Sequence, residues 1–301
     1  MGGAGRDGFR IKYRYQKIDA FAGPGSGGNP AACVYLEQGQ SISPAGMQKI
    51  ATEHKGFVSE VVFCTPRGGS TYRLQYYSAE CEVAFCGHGT IACASQLIKD
   101  ADLQDPEIWI ETGKGKSKVL NRVKSADAVY IAAPPPRYIP HSLAPSEIAD
   151  ALGIEISAIH AGYPVEIIDA GLRTLIVPIA ALDGILSMRP DEQRLKACSI
   201  ANNFDIAAVF SRETARPGSK LRTRVFAPRF GYLEDPATGS GNAAIGCYML
   251  KHGMWDGAPI SIEQNGLRAN PNLVKLMVDG GAVFFGGGAA LRIDGSYFLG
   301  G

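Results

Sequence analysis

Three residues have the type and setting for proton chemistry: Glu60, His88 and Asp235. Glu60 stands in Phe57-Val-Ser-Glu-Val-Val-Phe63, a strand-like run of apolar neighbours. On an alternating strand Val58 and Val62 share its face, so the carboxylate is expected to meet apolar surface. Desolvation penalises the charged form and lifts the pKa from about 4.3 toward the working range of a general base. The competing reading is an edge-strand glutamate pointing to water. His88 follows Cys86 by two residues, and on its own it reads as a capping or hydrogen-bonding histidine. Asp235 precedes Pro236, a common turn pairing in any protein.

Each of the last two sits beside the same kind of element. Glu234-Asp-Pro-Ala-Thr-Gly-Ser-Gly-Asn242 is a polar, glycine-bearing turn that opens an Ala-rich apolar helix running to Leu250. Such a start leaves backbone N–H groups unpaired, and the helix dipole adds roughly half a positive charge. Together they favour an anion. The chain carries the arrangement twice. Cys86-Gly-His-Gly-Thr90 aligns with Thr238-Gly-Ser-Gly-Asn242 at an offset of 152 residues, about half the 301-residue chain. Tyr77-Ser-Ala-Glu80 before the first copy matches Phe226-Ala-Pro-Arg229 before the second, given three extra residues in the second. Two half-chains on one plan imply two similar domains related by a pseudo-twofold axis, each aiming a helix start at the space between them, where small-molecule sites are common.

The elements that must hold these residues are mostly strands. Arg10 to Ala20 reads as a first strand, followed by a Gly/Pro/Ser loop closed by Asn29-Pro30. Ala31 to Leu36 is a short apolar run, strand or helix. Pro44 opens a helix capped by Ser43 and ended by Gly56. Strands are predicted over 58–63, 71–77, 107–111, 118–123 and 128–132. The second half offers a helix from Ser146 to Leu152, strands over 165–169 and 174–177, a helix over 190–199, and strands over 205–210, 221–226, 260–264, 273–278 and 282–285. The triple proline Pro134-Pro-Pro136 is the linker candidate. The domains are thus expected at 10–133 and 137–290, with a last strand within 291–301 returning to the first. The fold class is α+β, two barrel-like mixed sheets each around a central helix. Regular strand–helix alternation, the mark of a doubly wound sheet, is absent.

Composition excludes several functions. A net charge of +1 recommends neither nucleic acid nor an anionic membrane. Seven cysteines are scattered singly, without C-x-x-C or a Cys/His ligand spacing, which points away from a disulfide framework or a metal site and toward a reducing compartment. No apolar run approaches 20 residues, and Met1 to Asp7 reads as a flexible leader. A cytoplasmic protein without a membrane partner is expected.

Gly28-Asn-Pro-Ala-Ala32, Ser59-Glu60 followed by Phe63, Glu82-Val then Cys86-Gly-His88, and Glu234-Asp-Pro-Ala-Thr-Gly-Ser240 stand in the order and spacing of the PhzF-like phenazine-biosynthesis family. Ile262-Glu-Gln264 resembles its later motif, so the likeness covers roughly residues 11 to 300. The resemblance implies a diaminopimelate epimerase-like fold with the site between two domains. It also implies a cofactor-free isomerase that moves a proton along a small carboxylic acid, and association into homodimers. By position Glu60 matches the general acid/base, His88, Asp235 and Ser240 the polar residues around it, and the backbone of Gly87, Gly239 and Ser240 the carboxylate cradle. Asn29 falls in the matching motif as a substrate-binding residue.

Val61 stands where the family usually has Thr, Tyr77-Ser-Ala79 where it has Phe-Thr-Pro, and Gly89 where it has Ala. A longer glycine-rich loop precedes Gly28. These positions shape the cleft, so substrate identity does not transfer. Two other readings stay open. Epimerases and racemases of this fold use a Cys at the start of each helix; here the pair is Cys86 and Thr238, which suits a one-faced dehydratase rather than a two-thiol racemase. The same cradles would also serve a non-catalytic carboxylate-binding protein.

Overall fold

The computed structural model describes residues 11–300, so the leader Met1 to Asp7 and Arg10 lie outside the described residues. The chain is a mixed α+β protein, and the 18 strands among the described residues are linked by hydrogen bonds into one mostly antiparallel sheet system. Two helices are buried against it. The first, Gly87–Asp100, buries every residue from Gly89 to Gln96 and Ile98. The second, Gly239–Lys251, buries Gly241 to Met249 without a break. Their small side chains explain this: Ala, Cys, Ser and Gly let strands approach from all sides, and a helix apolar all round belongs inside. Both helices join one apolar core that runs from Ile18 and Cys93 to Ala243 and Phe285.

Most predicted elements are present with shifted ends. Ser43 caps Pro44–Glu53 by accepting from the Gly46 N–H at 3.1 Å. The undecided run is a strand, Asn29–Tyr35, which starts at Asn29 rather than after Pro30. The helix placed at Ser146 is Pro145–Leu152, capped through Glu147, whose carboxylate accepts the Ala144 N–H at 2.8 Å; Ser146 lies inside it. The helix expected over 190–199 is Glu192–Ala201, capped by Asp191. Leu182–Ser187, a short helix, has no counterpart in the sequence reading.

Two register details matter for the site. The last strand, Ala289–Leu299, pairs along its length with Ile11–Ala20. The glycine-rich segment Gly280 to Gly288 reads in sequence as a strand edge in need of a cover, but its strand Ala282–Gly287 is paired on both sides, with Asn272–Asp279 and with Ala128–Ala132. The structure also repeats the ladder ahead of each central helix. Tyr76 and Tyr77 pair with Val83 and Glu82, and Val225 and Phe226 pair with Asp235 and Glu234. The second turn is three residues longer, as the sequence alignment required.

Candidate active site

Glu60 is the first residue of its strand, Glu60–Gly68, not a mid-strand residue. The chain before it is a turn, so Val58 packs into a separate cluster with Tyr13 and Phe63, while Val62 faces the central helix. The strand alternation that put Val58 on the face of Glu60 therefore does not apply, yet the desolvation remains. It comes from the position of Glu60 between Ala31 and Ser78, beside the start of the helix Gly87–Asp100. Burial pushes its carboxyl up to about 7, the Cys86 thiol opposing in part by hydrogen bonding. Oε2 lies 3.3 Å from His88 Nε2, but out of line, so this buried oxygen has no hydrogen-bond partner.

His88 and Cys86 reach Glu60 because Cys86 is the helix N-cap and His88 the second helical residue. Cys86 Sγ accepts from the Gly89 N–H at 3.3 Å and lies 3.5 Å from His88 Nδ1. Gly89 makes this fit: a Cβ there would lie 2.8 Å from Val62. Burial lowers the His88 pKa against the attraction of Asp235 and a hydrogen bond to the Pro30 carbonyl, so the ring is neutral at pH 7. The Cys86 thiol is pushed well up by burial and then by the neighbouring Glu60 charge, so it is a thiol and not a thiolate.

Asp235 arrives from the short strand Glu234–Asp235 that precedes the second helix. Asn29 Nδ2 donates to its Oδ1 at 2.8 Å, and the Thr238 hydroxyl donates to its Oδ2. Burial nevertheless pushes it up to about 6, with His88 and these hydrogen bonds opposing and Glu60 adding to the rise. Asn29 is fully buried and its amide also donates to the Ala237 carbonyl at 2.8 Å, so it acts on the site through Asp235. Gly87 and Gly239 are the first residues of the two helices, and Ser240 is the half-buried second residue of its own. The N–H groups of Gly87, His88, Gly239 and Ser240 precede the first intrahelical acceptor, which leaves them for a ligand.

Several contributors had not been singled out. Gln264 accepts the Thr238 N–H at 2.9 Å and donates to the Asp235 carbonyl at 2.9 Å, and Asn242 donates to Gln264 at 2.7 Å. The strand of Gln264 is fixed by the fully buried Arg222–Glu263 pair at 3.1 Å. Tyr232 lies close enough to Asp235, Glu60 and Cys86 for their charges to add to the burial that raises its pKa. Phe285 packs between the two helix starts: a Cβ on Gly239 would lie 2.3 Å from its ring and one on Gly87 3.3 Å from it. Motif scanning reaches Gln264 only through Ile262-Glu-Gln264, and it offers no signal for Tyr232 or Phe285.

Glu60 also makes folding pH-dependent. Its folded value near 7 lies above its ordinary 4.5, so folding favours the neutral acid. That contribution is complete below the ordinary value and lost as pH rises through the folded one. Glu60→Gln is neutral throughout, so its stability relative to the unchanged protein should rise between about pH 5 and about pH 8. Urea midpoints measured across that range test this; a constant gap would contradict the burial account.

The profile of the family described as "Phenazine biosynthesis-like protein" matches residues 18–294. A trans-2,3-dihydro-3-hydroxyanthranilate isomerase of Pseudomonas fluorescens is 30% identical over 275 residues, covering 90% of this chain and 92% of the relative. An uncharacterized isomerase of Bacillus subtilis is 30% identical over 251 residues, covering 82% and 84%. The crystal structure of a Bacillus anthracis phenazine biosynthesis protein of the PhzF family superposes with a TM-score of 0.81 at 22% identity, covering 95% of this chain and 99% of that one.

Proposed function

We propose, for a chain that belongs to the phenazine biosynthesis-like family and is an isomerase, that Glu60 moves a proton between two carbons on one face of a small carboxylic acid, without a cofactor. The observation that carries this is an asymmetry between matching positions. Val61 pairs with Tyr77 as Ala207 pairs with Phe226, which makes Ile206 the counterpart of Glu60. By the 152-residue offset Val83 answers to Asp235, Cys86 to Thr238 and His88 to Ser240. A two-base epimerase needs a free acid or base on each face. Here the second half puts an isoleucine where the first has its glutamate.

The helix-start N–H groups hold the substrate carboxylate and so fix which carbon faces Glu60. Each such donor is worth roughly 3 kcal/mol where charge develops in the transition state. Both oxygens of Asp235 are engaged, which suits it to hold a substrate heteroatom or relay a proton with neutral His88. A dehydratase using Cys86 and Thr238 is disfavoured, because Cys86 is held as a thiol and the Thr238 hydroxyl is spent on Asp235. A passive carboxylate binder gains nothing from a desolvated glutamate beside an anion cradle.

The test is co-purification of a bound metabolite, followed by solvent-deuterium exchange on that compound; trans-2,3-dihydro-3-hydroxyanthranilate is the first compound to try. Incorporation at a single carbon supports the reading, and tight binding without exchange supports the passive binder. Turnover should survive exhaustive chelation. Activity that vanished with the chelator and returned with a divalent ion would overturn cofactor independence.

The same reading takes residues 10–133 and 137–290 as two similar domains about the cleft, in a homodimeric, cytoplasmic enzyme. All seven cysteines are free, which fits a reducing compartment. No helix among the described residues is long and apolar enough to cross a membrane. For the dimer, the edge strand Ala289–Leu299 exposes Leu291, Ile293 and Phe298, and such an edge calls for a cover. Light scattering should give twice the chain mass of 31.9 kDa; a single chain mass at all working concentrations contradicts it.

A further inference from the structure

The sequence has no metal-ligand spacing, yet folding brings three different donors to one point. A Glu60 carboxylate oxygen, Cys86 Sγ and a His88 ring nitrogen all lie within 4.8 Å of one another. His88 Nε2 is 3.3 Å from Glu60 Oε2 and 3.8 Å from Cys86 Sγ. In a tetrahedral zinc site with Zn–N and Zn–O near 2.1 Å and Zn–S near 2.3 Å, neighbouring ligands stand about 3.4 Å apart (N to O) and about 3.6 Å apart (S to N). The two spacings from His88 Nε2 match those edges, and the third, Cys86 Sγ to the Glu60 carboxylate, lies within 4.8 Å. Hydrogen bonding does not account for the shorter one, because Glu60 Oε2 is buried without a hydrogen-bond partner.

The surroundings fit a cation as well. The imidazole is buried beside the Pro30 backbone, where a carbonyl can orient a ligating ring. Asp235 adds a second carboxyl nearby without being a ligand, and the imidazole is the one basic side chain of the group. Thiolate, imidazole and carboxylate together select a borderline-soft ion, whereas magnesium and calcium want oxygen shells.

We propose that Glu60, Cys86 and His88 form a three-ligand zinc site whose fourth position opens to the substrate cleft. On binding, the Cys86 thiol releases its proton to solvent and the thiolate joins the metal. The ion takes the lone pair that Glu60 needs, so it is an inhibitor and not a cofactor. Only that inhibitory consequence rests on Glu60 being the base; the site itself stands on geometry.

The experiment uses metal-stripped full-length protein and no substrate, so it does not depend on the reaction assigned above. Cobalt(II) serves as the probe. One equivalent should produce thiolate-to-cobalt charge-transfer absorption, which zinc displaces and magnesium does not. Cys86→Ala should abolish the band, and Glu60→Gln should weaken zinc by at least about 10-fold. Circular dichroism of each variant checks that it is folded. Absence of the band in the unchanged protein overturns the site whatever the variants do. A band that survives Cys86→Ala, and so belongs to another of the seven thiols, also overturns it.

Discussion

Glu60→Gln is expected to lower turnover by two or more orders of magnitude, about 3 kcal/mol, while ligand binding survives. The amide keeps the shape of the side chain and its hydrogen bonding, but it carries no exchangeable acid proton. The carboxyl sits near 7 because burial outweighs the Cys86 hydrogen bond, so both protonation states are populated near neutral pH. A group in that condition can accept a proton from one carbon and return it to another. Its neighbours cannot take over. Burial lowers the His88 pKa and so makes it a weaker base, and Asp235 is tied by Asn29 and Thr238. Removing His88 or Asp235 should cost less than removing Glu60, and the two losses should not add, because the groups act as one network. Cys86→Ala should retain most activity, which separates Glu60 as base from Cys86 as nucleophile.

Gly239→Ala is expected to cost about 3 kcal/mol of stability, the upper end for overpacking, through one contact. The new Cβ would lie 2.3 and 2.4 Å from two ring carbons of Phe285. The ring has nowhere to go: Phe285 is 2% exposed, and its backbone is paired to Leu276 on one side and Ile131 on the other. Gly87→Ala meets the same ring at 3.3 Å and should cost far less. Shortening the ring therefore tests the mechanism. Phe285→Leu should destabilise alone by leaving a cavity, yet recover part of the loss in the Gly239→Ala background. Urea midpoints of the four proteins decide it. A Gly239→Ala protein as stable as the parent, or no recovery in the double variant, would show that Phe285 does not set the spacing of the helix starts.

How much of this was legible depends on which kind of signal each residue carries. The two glycine-bearing helix starts were readable because Cys86-Gly-His-Gly and Thr238-Gly-Ser-Gly are local, and because the 152-residue repeat is a property of sequence. Glu60 was readable as a chemical candidate, but the stated reason was half wrong. Alternation placed Val58 beside it, whereas the strand starts at Glu60 itself. Strand ends depend on where the preceding turn releases the chain, and periodicity does not report that. Phe285 was out of reach for a related reason. Phe284 and Phe285 must face opposite sides of their strand, but only the register with Ile131 and Leu276 decides which one meets the cleft. The glycine-rich segment 280–288 looked like an edge because its partner strand, Ala128–Ala132, is about 150 residues away in sequence. The Glu60–Cys86–His88 cluster was hidden for another reason: its members share no metal-binding spacing and meet only where a strand start abuts a helix start.

The most direct test of Glu60 as the single base is stereochemical. Turnover of the identified acid in deuterium oxide should place deuterium at one carbon and on one face in the unchanged protein and in Cys86→Ala, and at no carbon above background in Glu60→Gln. Exchange at the parental rate in Glu60→Gln, together with its loss in Cys86→Ala, would contradict the assignment and move the chemistry to the thiol.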